Sequence, residues 1–132
     1  MSIPSPETTP YALLGGEDRV RELVDRFYDH MDQMPEAYEL REMHAEDLGS
    51  TRNKLFMFLS GWLGGPDLYI EAYGHPMLRR RHLPFAIDTQ ARDQWLLCMQ
   101  HAMDDMQITG ALRQHLDTAF AQTANHMRNQ PL

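Results

Sequence analysis

Apolar positions recur with helical spacing soon after the first glycine pair. Val20, Leu23, Val24, Phe27, Tyr28 and Met31 stand at i, i+3, i+4, i+7, i+8 and i+11, a stripe along one face of a helix. Glu17 and Asp18 open it, where acidic side chains suit the positive end of the helix dipole. From Asp32 to Gly49 the period weakens. Pro35 permits a helical turn to begin, but Tyr38, Leu40 and Met43 are scattered, so short turns and loop are expected. Ser50 or Thr51 then suits the cap of a second long helix, with Leu55, Phe58, Leu59 and Trp62 on its inner face and Gly64-Gly65-Pro66 as its stop. Its run LFMFL is apolar all round, which predicts heavy burial.

Two further helices follow. One starts near Asp88-Thr89 and carries Trp95, Cys98, Met99, Ala102, Met103 and Met106 on one face. Past Gly110 the other carries Leu112, Leu116, Ala119, Phe120, Thr123 and Met127. No convincing period-2 strand, internal repeat or low-complexity tract interrupts them, so the fold class is all-α. Three prolines and four Ser/Thr in residues 1–10 predict a lead-in arm, leaving 11–132 as a single domain. A chain of 132 residues, 42% hydrophobic, has apolar surface enough for one core.

Charge narrows the function classes. Twelve Lys+Arg against nineteen Asp+Glu leave a net charge of −7, a field that repels nucleic acid and anionic lipid. Neither partner is expected. Cys98 is the single cysteine, so an intramolecular disulfide is excluded and an intracellular protein is expected. With no signal-like N-terminus and no apolar run approaching about 20 residues, the chain reads as soluble and cytoplasmic, a monomer or weak dimer.

Against that acidic background stands His75–Phe85, HPMLRRRHLPF, with three consecutive arginines between two histidines. Pro76 suits a first helical position and Pro84 forbids continuation, so Met77 to Leu83 forms about two turns at most. His82 lies four residues after Leu78 and shares its helical face. An inward histidine there is either a hydrogen-bonded core residue or a ligand. Zinc needs three or four protein ligands, and no His, Cys or carboxylate lies three or four positions from His82; a haem needs one proximal imidazole. Arg79 and Arg81 are either a solvated basic run or bidentate partners for haem propionates. Leu83, Pro84 and Phe85, with the Met- and aromatic-rich helices, furnish an apolar slot or simply core.

The blocks "FLSGWLGGPDLY", "GHPMLRRRHLPF" and "RDQWLLCMQHAMD", in that order, resemble the truncated haemoglobins, specifically their group II branch. The resemblance runs from about Tyr11 to Asn129. It implies a globin-like two-over-two helical sandwich holding haem b, iron protoporphyrin IX, on a short proximal helix. By this likeness His82 is the iron ligand, and Arg79 and Arg81 lie near the propionates. Phe58, Leu78 and Phe85 contact the porphyrin. Tyr28 and Trp95 match the hydrogen-bonding residues of the distal pocket, His44 a variable pocket position that is often aromatic, and Thr51 and Leu55 pocket positions on the distal helix. Relatives with glutamine at the Leu55 position have a donor that this chain lacks. A buried phenol or indole needs a polar partner, and a polarised diatomic ligand provides one.

The family pattern therefore implies reversible binding of O2 and other diatomic ligands such as NO and CO. A redox enzyme acting on NO or peroxide is the alternative. It needs an external reductase, since no nucleotide fingerprint is present. A cofactor-free helical interaction module is a third class, with little support because no exposed heptads occur.

Overall fold

The computed structural model describes residues 9–130. Most of the expected arm, residues 1–8, lies outside the described residues. Thr9 caps α1 (Pro10–Leu14), its side chain accepting from the Ala12 N–H at 3.2 Å. α2 (Glu17–Gln33) is the apolar-striped helix, and all six stripe residues, Val20 to Met31, are buried. A 3-10 turn at Pro35–Ala37 leads into α3 (Tyr38–Glu42), and α4 (Gly49–Trp62) follows. Then come α5 (Leu68–Tyr73), α6 (Leu78–His82), α7 (Thr89–Asp105) and α8 (Gly110–Met127).

α2 packs against both α4 and α7, and α7 packs against α8. One helix pair, α2 with α4, thus lies over another, α7 with α8. The core sits between them: Leu23, Phe27 and Met31 from α2, Leu59 from α4, Met99 and Met103 from α7, and Leu116 from α8. Tyr11 N–H donates to Leu63 O at 2.9 Å and fastens α1 to the end of α4.

Three local features differ from the sequence expectation. α4 begins at Gly49 with no side-chain cap from Ser50 or Thr51; Asp47, two residues earlier, takes the Gly49 N–H at 2.8 Å. In the LFMFL run Phe56 and Leu59 are buried while Leu55, Met57 and Phe58 are only half-buried. An all-round apolar helix is covered only where neighbours reach it, and α6 packs chiefly on α8 rather than on α4. α6 itself starts at Leu78, so Pro76 lies outside it. Met77 adopts a left-handed conformation (φ 48°), with its N–H taken by His75 Nδ1 at 3.1 Å, and that bond competes with a further helical turn.

Asp88 caps α7, its carboxylate accepting from Ala91 N–H at 2.8 Å. Asp88→Ala is expected to cost about 1 kcal/mol, read as a lowered urea midpoint with an unchanged slope.

Candidate functional site

Aromatic side chains from four helices form a continuous run of ring contacts. Phe27 and Tyr28 meet edge to face at 4.9 Å, and Phe27 lies 5.0 Å from Trp95 on α7. Trp95 lies 5.6 Å from Phe120 of α8, which stacks on Trp62 of α4 at 4.9 Å; Phe58 stands 6.4 Å from Trp62. Trp95, Trp62, Phe58, Leu55 and Thr51 are all half-buried. Leu78 and His82 of α6 are half-buried too, and Phe85 is 46% exposed. Phe58 and Trp62, with Met57, Tyr69, Ile70 and Pro76, line a mostly apolar cleft open to the surface.

His82 is held from one end. Its Nδ1 lies 2.6 Å from Leu78 O, one helical turn back, and bonding to a carbonyl makes Nδ1 the protonated nitrogen and Nε2 the lone-pair nitrogen. Nε2 has no hydrogen-bond partner among the described residues. Neither have the Tyr28 hydroxyl and the Trp95 indole N–H. Among the described residues every sealed side-chain N or O is satisfied. These three polar atoms therefore reach accessible space, even though Tyr28 as a whole is only 4% exposed.

His44 stands just beyond α3, its Nδ1 2.9 Å from Leu40 O and its ring 6.0 Å from that of Tyr28. Burial lowers its pKa below the usual histidine value. The Leu40 bond opposes that shift, and the Arg41 and His82 charges add to it. Burial pushes the Tyr28 phenol far above its ordinary range, with Arg52 opposing. Arg52 of α4 lies 5.7 Å over the Tyr28 ring and bonds Asp29 at 2.8 Å, fastening α4 to the helix that carries Tyr28. Burial drives the Cys98 thiol up to about 11, with Glu36 adding to the rise, so it stays a protonated core residue.

The arginines split in role. Arg81 Nε donates to Pro76 O at 2.6 Å, and its guanidinium lies 5.6 Å over the Tyr69 ring. Arg79 and Arg80 are exposed, and no ion pair engages them among the described residues. One site-supporting residue carried no sequence signal. Buried Gln94 accepts the Leu40 N–H at 3.0 Å and donates to Glu39 at 3.0 Å, pinning the residue whose carbonyl holds His44.

The donor set suits a planar apolar group with one axial position to fill. His82 offers a single lone-pair nitrogen, and among the described residues no cluster of three or more His, Cys, Asp or Glu gathers to hold a bare ion. Haem is a group whose needs this donor set could meet, since it asks the protein for one imidazole and apolar surroundings. Fold and site together define a globin of the shortened, two-over-two kind. The chain belongs to the bacterial-like globin family, which matches residues 9–129, and is thus a haem-binding protein.

Its relatives are truncated haemoglobins. It is 44% identical over 121 residues to the group 2 truncated hemoglobin YjbI of Bacillus subtilis, covering 92% of this chain and 89% of that protein. The cold-adapted truncated hemoglobin of the Antarctic marine bacterium Pseudoalteromonas haloplanktis TAC125 superposes with a TM-score of 0.91 at 48% identity. That match covers 94% of this chain and 100% of the other. The group II 2-on-2 hemoglobin of Agrobacterium tumefaciens gives a TM-score of 0.91 at 43% identity, covering 99% of this chain and 100% of the other.

Proposed function

We propose that this globin carries haem b on His82 and binds O2, and other diatomic ligands such as NO and CO, reversibly. A haem held there by His82 would supply iron able to take up a diatomic ligand. The carrying observation is a set of polar atoms left without protein partners. His82 Nε2 is unpartnered while Nδ1 is pinned, and the Tyr28 hydroxyl and Trp95 N–H reach accessible space instead of a protein acceptor. Those two donors stabilise a ligand that carries partial negative charge. Thr51 and Leu55 shape the ligand space from α4, and Phe58, Leu78 and Phe85 contact the porphyrin. Arg79 and Arg81 answer its propionates. Residues 11–132 act as one domain, a cytoplasmic monomer or weak dimer. Repeated cycles of oxygenation and evacuation test this reading: the spectrum should return to the deoxy form each time. Rapid irreversible oxidation to the ferric form would contradict it.

One observation favours a second reading. Arg79 and Arg80 stand exposed without a carboxylate partner in a chain of net charge −7, a landing place for an acidic electron donor. Such a donor is the external reductase that turnover of NO or peroxide demands. Steady-state NO or peroxide consumption with added reductase distinguishes turnover from binding alone.

His44 adds a testable refinement. Its Nε2 is the free nitrogen of a ring that stays neutral below the usual histidine range, whereas the Tyr28 phenol resists ionisation. In the ferric protein without added ligand, a low-spin population is therefore expected from His44 rather than Tyr28. A depressed pKa means protonation removes this population only below the ordinary histidine midpoint. Electron paramagnetic resonance from about pH 5 to 9 should show the low-spin signal fading at the acid end and absent from His44→Ala. A high-spin signal identical in both proteins sinks the idea.

A further inference from the structure

The short helix that carries His82 has little of its own to hold it. α6 is five residues long, below the length at which a helix is stable without tertiary support. Met77 in a left-handed conformation precedes it, Pro84 follows it, and Leu83, Pro84, Phe85 and Ala86 are exposed. Its main packing partner is α8, and just past the end of α8 stands Asn129.

The Asn129 carboxamide directs three hydrogen bonds to the main chain between His82 and Ile87, while its Oδ1 also accepts from Gln130 Nε2 at 3.2 Å. Nδ2 donates to His82 O at 3.2 Å and to Phe85 O at 2.8 Å, while Oδ1 accepts the Ile87 N–H at 2.9 Å. The Asn129 backbone N–H donates to Ile87 O at 2.9 Å. Backbone partners fix the orientation of the amide. Two carbonyls can only accept and one N–H can only donate, so the flipped amide would face like against like. Nearby, Gln130 N–H bonds Ile87 O at 3.2 Å and Arg128 reaches Thr89 at 3.4 Å, but neither bonds residues 82 to 85.

We propose that Asn129 is a positioning residue for the axial histidine, a latch by which the end of α8 sets the backbone direction of His82. This rests on His82 being the iron ligand. Two anchors then orient the imidazole: Leu78 O sets the ring's rotation, and Asn129 sets the main chain from which the ring projects. Outer partners of this kind orient metal ligands and tune the metal. Aspartate would not replace it, since a carboxylate keeps the acceptor for Ile87 N–H but turns an oxygen toward two carbonyls.

The test compares wild type, Asn129→Ala and Asn129→Asp. The Fe–His stretching band of the deoxy ferrous protein is recorded by resonance Raman, haem loss is followed by transfer to an acceptor protein, and amide exchange is measured in the haem-free chain. Both variants should shift and broaden the Fe–His band and lose haem roughly tenfold faster, since both remove the two bonds to the His82 and Phe85 carbonyls and bonds of ordinary strength sum to about that factor. The Ile87 amide should exchange faster in Asn129→Ala, and the Phe85 amide in both variants, because its N–H donates at 3.0 Å to the same His82 carbonyl that Asn129 holds. A variant with lowered thermal stability but an unchanged Fe–His band and haem loss overturns the positioning role. Unchanged amide exchange overturns the latch, even with His82 as ligand. If His82→Ala keeps the wild-type Fe–His band, the ligand assignment itself fails, and the positioning role fails with it.

Discussion

His82→Ala is expected to lose haem affinity by more than about a hundredfold, beyond the usual cost of removing an outer-shell partner alone. The substitution deletes an imidazole whose Nδ1 is held from behind by Leu78 O and whose Nε2 has no partner among the described residues. The α6 backbone should survive, because Asn129 bonds the carbonyl of residue 82 and not its ring. Added imidazole should therefore restore part of the spectrum by entering the space left by the side chain. His75→Ala is the control. That ring is exposed, with its Nδ1 engaged by the Met77 N–H at 3.1 Å, and its loss should leave the ferrous spectrum unchanged. Loss of binding in His75→Ala with retention in His82→Ala would reverse the assignment.

Tyr28→Phe and Trp95→Phe are each expected to speed O2 dissociation by roughly ten- to a hundredfold. A hydrogen bond to a charged or strongly polarised group is worth roughly 1.5–3 kcal/mol, and about 1.4 kcal/mol is tenfold. Folding should be little disturbed. Phenylalanine keeps the 4.9 Å edge contact of residue 28 with Phe27 and most of the 5.0 Å contact of residue 95 with the same ring. Because Phe27 touches both, the double variant should depart from the product of the two single effects. Unchanged dissociation rates in both single variants would make these side chains wall material and place ligand control elsewhere.

Much of the fold was legible because its long helices are amphipathic over many turns. The stripe from Val20 to Met31 is buried residue for residue in α2, and Asp88 does cap α7. α1 and α5, of five and six residues, are too short to show a period and escaped notice. In α4 no helix covers Leu55, Met57 and Phe58 fully; composition shows that a surface is apolar but not what covers it. The start of α4 was misplaced because Asp47 acts from two residues ahead.

At the site, the bond from His82 to Leu78 O follows from helical spacing alone. The nearness of Tyr28 to His44, and to Trp95 through Phe27, depends on tertiary packing, and in the sequence only the family resemblance linked them. Gln94 and Asn129 were invisible because their bonds span 54 and 42 residues of chain to main-chain groups, and a backbone partner leaves no mark on sequence pattern.

The most direct test of the account is a haem titration of the purified haem-free protein, followed in the Soret region and finished by reduction under an inert atmosphere. The account requires saturation at one haem per chain and a five-coordinate ferrous spectrum that CO converts to a sharp six-coordinate band. A chain that takes up haem without saturation, or shows no Soret band distinct from free haem, would contradict it.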